Sequence, residues 1–257
     1  MENLNDMRYI KKGKEPDYML AWKQDCADVG NEPLYKEFSY KEKLNDELRG
    51  MQHGICCYCQ RRIDHFQGEL LYGSHNEHLY PENRENDEMS RKFQMDFQNI
   101  YACCIDSRGH KKMEKRLRYC GEAKENNIIP HLIQERKCSD YFRYNILGEI
   151  IPNGSYNKWE EYEKREVELK GKILEAFKCI KVLNLNCITL VIHRNQVLQP
   201  FISIISKWPI DTLISDIRSY EDATIYQEFI AMKLQYMYKS INPIIAPIEN
   251  AILPVPN

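Results

Sequence analysis

Beyond about residue 155 the apolar residues recur at helical spacing. Leu169, Ile173, Phe177 and Ile180 are separated by 4, 4 and 3 positions and fall on one helix face. Ile225, Phe229, Met232 and Tyr236 repeat the pattern further on. Between them Leu198, Phe201, Ile202 and Ile205 predict a third helix, with Pro200 in its first turn or at a kink. These stripes read as core packing and carry no chemistry. Near the start, Leu44, Leu48 and Met51 predict a helix running from near Tyr35 to around Gly54, with Gly50 offering an earlier stop. The middle differs. "ICCYCQRRI" and "NIYACC" are short, β-branched and aromatic, and read as strands or knuckles, while residues 141–152, "YFRYNILGEIIP", read as a hairpin turning near Gly148. The pattern predicts an α+β protein in three stretches: N-terminal arm and helices over 1–52, a small core over 53–152, and a helical region over 153–257.

Composition narrows the class. At 43% hydrophobic and 29% charged the chain is an ordinary globular protein with a slight excess of charge. No apolar run reaches the length of a membrane span, and the opening residues hold no apolar core of a signal peptide, so a cytoplasmic protein with reduced thiols is expected. A net charge of −2 argues against strong independent binding to nucleic acid. One local exception is the basic stretch 107–118, with Arg108, Lys111, Lys112, Lys115, Arg116 and Arg118, which is either a solvated helix face or a set of phosphate contacts.

Ten cysteines in a reducing compartment call for a role other than disulfides. Cys56 and Cys59 have the Cys-x-x-Cys spacing that lets two thiolates of one turn reach one ion, and zinc needs four such ligands. The second pair is Cys103 or Cys104 with Cys120, the basic stretch forming an insertion between them. A redox pair is disfavoured because the βαβ context is missing. Cys179 and Cys187, in apolar helical surroundings, read as small buried hydrophobes.

Downstream of the first cysteines lies "SHNEHLYPENREND", residues 74–87, with Glu77 next to His78 and Pro81 close behind. A histidine near neutral pKa can take a proton from water, and a carboxylate can hold Mg²⁺. Neighbours on an extended strand face opposite sides, so Glu77 and His78 would share a site only where the chain bends. His75-x-x-His78 is a rival metal pair, although Glu77 and Pro81 frame His78 and nothing frames His75.

These landmarks resemble the HNH nucleases of the ββα-metal class, and most closely the PtuB family, the HNH subunit of Septu-type anti-phage systems, including retron-associated members. "RYIKKGKEPDYM", "CCYCQ", "EHLYP", "QNIYACC", "CGEAK", "YFRYNILGEI" and "VLNLNCITLVIHR" are similar to that family in order and spacing. The resemblance implies a zinc-braced ββα-metal core and endonuclease activity on phosphodiester bonds of DNA or RNA. It implies structural Zn²⁺ on Cys56, Cys59, Cys104 and Cys120, and catalytic Mg²⁺ or Mn²⁺ on Glu77. His78 would act on the water, Asn99 would bridge the strands or orient the imidazole, and Lys124 would complete the set. Gly121 departs from the family, which often has Asn or His there as a second metal ligand; either His110 or Glu122 would substitute, or Glu77 would hold the metal with substrate and water alone. The resemblance also implies a PtuA-like ATPase partner; the helices beyond about residue 155, long for an appendage to so small a core, are expected to form its docking surface, with the N-terminal arm as a further candidate. The competing readings are a non-catalytic zinc module that binds nucleic acid or a protein, and a structural adaptor.

Overall fold

The computed structural model of the chain describes residues 9–63, 65–66, 69–70, 73–84, 87–105, 114–221 and 223–252, with 65–66, 69–70, 221 and 242–252 described through their backbone. Helix α1 (Asp17–Asp28) starts behind Pro16, whose fixed φ suits a helix entry, and has Asp17 in its first turn. It buries only Met19 fully, so it leaves no apolar stripe to read in the sequence. Helix α2 (Lys41–Met51) carries Leu44 and Leu48 as expected but begins later than Tyr35. Tyr35–Glu37 form a separate 3₁₀ turn, and Phe38 is extended, its ring against Trp22 at 5.1 Å. Gly50 lies inside α2. The stop is made by His53 and Gly54, both at positive φ, with the Gly54 N–H on the Arg49 carbonyl.

The middle holds small antiparallel ladders. A two-residue pair joins β1 (His65–Phe66) to β2 (Glu69–Leu70). Strand β3 (Ser74–His78) pairs with β4 (Ile100–Cys104) from Ser74↔Cys104 to His78↔Ile100. "NIYACC" is therefore mostly strand, whereas "ICCYCQRRI" is a knuckle: the Cys56 N–H bonds the Arg61 carbonyl at 2.8 Å, and Ile55 bridges Arg62. Between β3 and β4 lies α3 (Glu88–Phe93), capped by Asp87 on the Met89 N–H at 3.0 Å. After β4 the single turn α4 (Gly121–Lys124) follows Cys120. The expected hairpin is present as β5 (Phe142–Tyr144) and β6 (Ile150–Pro152). Its turn contains Gly148 at φ 85°, where a Cβ would come within 2.8 Å of the Val191 carbonyl oxygen, so glycine lets the turn lie on the following helix.

The rest is helical: α5 (Trp159–Glu163), α6 (Gly171–Val182), α7 (Ile188–Ile205), α8 (Ile210–Glu221) and α9 (Ile230–Ile252). Phe177 and Ile180 are buried on α6. Helix α7 starts ten residues before Leu198, so of the two places expected for Pro200 the first turn is excluded: it sits in the interior, where it cannot bond the Gln196 carbonyl. One expectation is corrected. Ile225 is exposed ahead of α9, because Phe229 at φ 56° turns the chain before the helix begins. The protein is thus mixed and mostly helical, with small antiparallel sheets. One hydrophobic core takes Met19, Leu44 and Leu48 from the first stretch, Ile100 and Tyr101 from the middle, and Ile180, Leu198 and Met232 from the last. Among the described residues no helix is long and apolar enough to cross a membrane.

Candidate metal centre and the Glu77–His78 strand

Cys56 and Cys59 stand on the knuckle, Cys104 ends β4, and Cys120 precedes α4. Their four sulfur atoms all lie within 4.8 Å of one another, and all four residues are buried. Cys59 Sγ is 3.5 Å from Cys104 Sγ, and Cys56 Sγ is 4.0 Å from Cys120 Sγ. Four thiolates at about 2.3 Å from one zinc ion sit roughly 3.8 Å apart, so the cluster fits a structural Zn²⁺. Cys104 completes this set of four. Cys103 instead joins Cys56 and Cys57 in a group of three, and its sulfur receives the Gly121 N–H at 3.4 Å. Burial pushes the Cys59 and Cys120 thiols well up. Cys56 is also buried, but hydrogen bonds from Cys103, Cys104 and Cys120 bring it well below the ordinary thiol value. One thiolate among neutral thiols is what the protein groups alone sustain, and a dication would ionise the rest. As expected, Cys179 and Cys187 are buried in helical surroundings, and neither is one of the four clustered cysteines.

The next strand carries two different faces. His75 and Glu77 point to one side of β3, and Asn76 and His78 to the other. The rival His75–His78 pair is thereby separated across the strand. Glu77 is 8% exposed. Its Oε1 takes the Lys124 ammonium at 3.1 Å and the Tyr58 hydroxyl at 3.3 Å, and its Oε2 meets His75 Nε2 at 3.3 Å. Burial would raise its pKa, but His75 and Lys124 outweigh it and hold the carboxyl below its usual range. Lys124, 1% exposed, also donates to the His78 carbonyl at 2.8 Å, so it ties the acid to the strand's last residue.

His78 is 5% exposed on the opposite face. Its Nε2 donates to the Gln94 carbonyl at 2.8 Å, and the Tyr35 ring stands edge-on at 4.5 Å. That bond puts the proton on Nε2 and leaves Nδ1 as the bare acceptor of the neutral ring. Burial lowers the imidazole pKa to about 4 despite the Gln94 carbonyl and Glu77. Asn99 stands directly before β4 and bonds the chain just after β3. Its Oδ1 accepts the Tyr80 N–H at 2.7 Å, and its Nδ2 donates to the Tyr80 and Phe93 carbonyls at 2.9 and 3.1 Å. It fixes the turn after β3, and its bond to the Phe93 carbonyl anchors the residue just before Gln94.

Lys115 and Arg116 are exposed on the stretch leading to Cys120, Arg118 is half-buried, and Glu114 and Glu125 partly neutralise them. Arg108, His110, Lys111 and Lys112 lie outside the described residues. His75, weighed in the sequence only as a rival partner of His78, stands beside Glu77 instead. The period of two along β3 was the signal that places it beside Glu77. No protein-family model matches the chain, and no curated protein matches it either.

Two outcomes follow. Metal analysis of the pure protein should give about one zinc per chain. Cys59→Ser and Cys104→Ser should strip it, and Cys57→Ser and Cys103→Ser should keep it; a soluble, zinc-free wild type would rule the centre out. The second concerns acid. His78 titrates near 4 in the fold against its ordinary 6.5, so below 6.5 the unfolded chain binds a proton that the fold refuses. Stability from this group is full above pH 6.5 and falls by roughly 3 kcal/mol as the pH drops to 4. Between pH 7.5 and 5, denaturant unfolding should show His78→Gln losing about 2 kcal/mol less than wild type. Equal losses would remove His78 as the titrating group.

Proposed function

We propose that the chain is a metal-dependent endonuclease of the HNH, ββα-metal class, the nuclease subunit of a Septu-type anti-phage assembly. The observation that carries the proposal is the antiparallel β3–β4 pair followed by α4 against the sulfur cluster. An acid–imidazole pair ends its first strand, Asn99 directly precedes the second, and Lys124 closes the helix. Neutral His78, its Nε2 proton engaged by Gln94, would accept the proton of the attacking water at Nδ1. Ionised Glu77 would hold Mg²⁺ or Mn²⁺, which would supply charge stabilisation at the phosphate and the leaving oxygen. Lys115, Arg116 and Arg118 offer a few phosphate contacts, which gives weak and strongly salt-dependent binding.

A second reading, a zinc module that binds without cutting, is favoured by one observation. Both Glu77 and His78 are nearly closed to solvent, and they face opposite sides of β3. Cleavage assays separate the two. Labelled DNA and tRNA should be cut by wild type only with Mg²⁺ or Mn²⁺, and His78→Ala should lower the rate by about 10²- to 10⁴-fold with zinc content unchanged. Cleavage by His78→Ala at the wild-type rate would refute catalysis at this site.

A PtuA-like ATPase is the partner in this proposal, docked on the C-terminal helices. Ile188 and Ile192 are exposed one turn apart on α7. The hairpin tip, with exposed Ile146 and Leu147, lies on the same stripe, because the Ile146 carbonyl accepts from Asn195 and Gln199 at 3.2 and 3.0 Å. Truncation at the hairpin would split the shared core, so surface substitution is the cleaner test. The double substitution Leu147→Glu and Ile192→Glu should leave zinc and folding intact and abolish co-purification with the ATPase. Unchanged association would exclude this face.

A further inference from the structure

Two further cysteines are buried beside the four that fit zinc. Cys57 follows Cys56 on the knuckle, and Cys103 precedes Cys104 on β4; they are 4% and 0% exposed. Neither belongs to the group of four, yet their sulfur atoms and Cys56 Sγ all lie within 4.8 Å of one another. Cys56 Sγ is 3.9 Å from Cys103 Sγ. The backbone holds the three in place. The Cys57 N–H bonds the Ala102 carbonyl at 3.2 Å, which clamps the knuckle to β4 next to Cys103. Three thiolates about 2.3 Å from an ion at their centre stand roughly 4 Å apart, so the spacing fits a planar three-sulfur site.

The sulfur atoms are prepared for charge. Cys56 Sγ accepts the Tyr58 and Cys104 N–H groups, each at 3.4 Å, and Cys103 Sγ accepts the Gly121 N–H at 3.4 Å. Hydrogen bonds of this kind favour the thiolate. A thiolate keeps lone pairs after one metal bond, so Cys56 can bridge two ions. A cavity of about 190 Å³ opens onto this side of the cluster, lined by Cys56 and Cys57 with Met51, Gln52, His53 and Tyr226. Cys59, Cys104 and Cys120 do not line it, so it leads to the three-sulfur group rather than to the middle of the zinc set.

We propose that Cys56, Cys57 and Cys103 form a second metal site, joined to the zinc set through Cys56, and that it takes the soft monovalent ion Cu(I). No imidazole or carboxylate among the described residues joins the group. An all-sulfur donor set selects Cu(I) over harder ions, and zinc would require a fourth ligand. Part of the added negative charge is offset by the buried ammonium of Lys12, which a charged Cys57 favours.

The test is anaerobic titration of the full-length, zinc-loaded protein with Cu(I) supplied as its glutathione complex, with both metals counted by native mass spectrometry. Wild type should hold about one zinc and one copper together, and X-ray absorption at the copper edge should show three sulfur neighbours at about 2.3 Å. Cys57→Ala and Cys103→Ala should each weaken copper binding at least about tenfold while zinc stays. Wild type that takes no copper from glutathione overturns the site. Copper gained only as zinc is lost overturns it too, because the ion has then displaced zinc from the four cysteines. Wild-type copper affinity in both variants, or a copper ion with two sulfur neighbours, also refutes it. The metal count and the sulfur neighbours are read on wild type, so they decide the matter even where a variant fails to fold.

Discussion

Four sulfur atoms from three separated pieces of chain must meet within 4.8 Å, and much of the structure follows from that constraint. The knuckle needs Gln60 at φ 61°, and Cys120 needs φ 57°, both unusual for residues with a side chain. Strain of this kind costs on the order of 1–3 kcal/mol per residue and persists only where the surroundings enforce it. They do so here. The Gln60 carbonyl takes the Phe229 N–H at 3.0 Å, and the Cys120 N–H bonds the Leu183 carbonyl at 2.8 Å. Both partners come from the helical C-terminal region. A zinc ion on these thiolates would contribute on the order of 10 kcal/mol, more than the two strained residues cost together.

The same long-range dependence governs the strand beside the cluster. Tyr35, from the N-terminal stretch, forms one wall around His78, and Lys12 donates to the Phe97 and Ile100 carbonyls at the start of β4. Lys124 is nearly fully buried, and an unpaired ammonium there would be costly. It is kept by Glu77 and by the His78 carbonyl, so removing the acid would leave that buried ammonium without its counter-charge. The N-terminal stretch is therefore part of the site's construction. It supplies the groups that hold its backbone and close its walls.

What could be read in the sequence follows from which forces act locally. Helix faces on α2, α6 and α9 are periodic, and Leu44, Leu48, Phe177 and Met232 are buried as their spacing required. The hairpin was legible because Gly148 marks its turn. Boundaries failed where tertiary contacts decide them. The ring of Phe38 holds an extended residue ahead of α2, and Phe229 at positive φ excludes Ile225 from α9. Helix α1 gave no stripe because it rests on the core through little more than Met19. The four cysteines were visible as residue types and spacing, although spacing alone left Cys103 and Cys104 open; the strand's alternation and the position of Cys59 separate them.

His75 shows where motif reading and strand geometry diverge. Read as a string, Glu77-His78 is a unit and His75 is a neighbour without a frame. Folded into a strand that pairs through His78, the unit splits across two faces and His75 joins the acid. Gly121, which in a string of letters is only a missing ligand, is required by that arrangement, because a Cβ would overlap both atoms. The imidazole two residues before the acid and the glycine after the last cysteine are thus one structural fact. An added side chain at 121 would collide with the Glu77–His75 pair, so a donor at 121 and this placement of His75 exclude each other. His78 is 5% exposed on one face, while the His75 side chain, 33% exposed, is the more accessible edge beside Glu77.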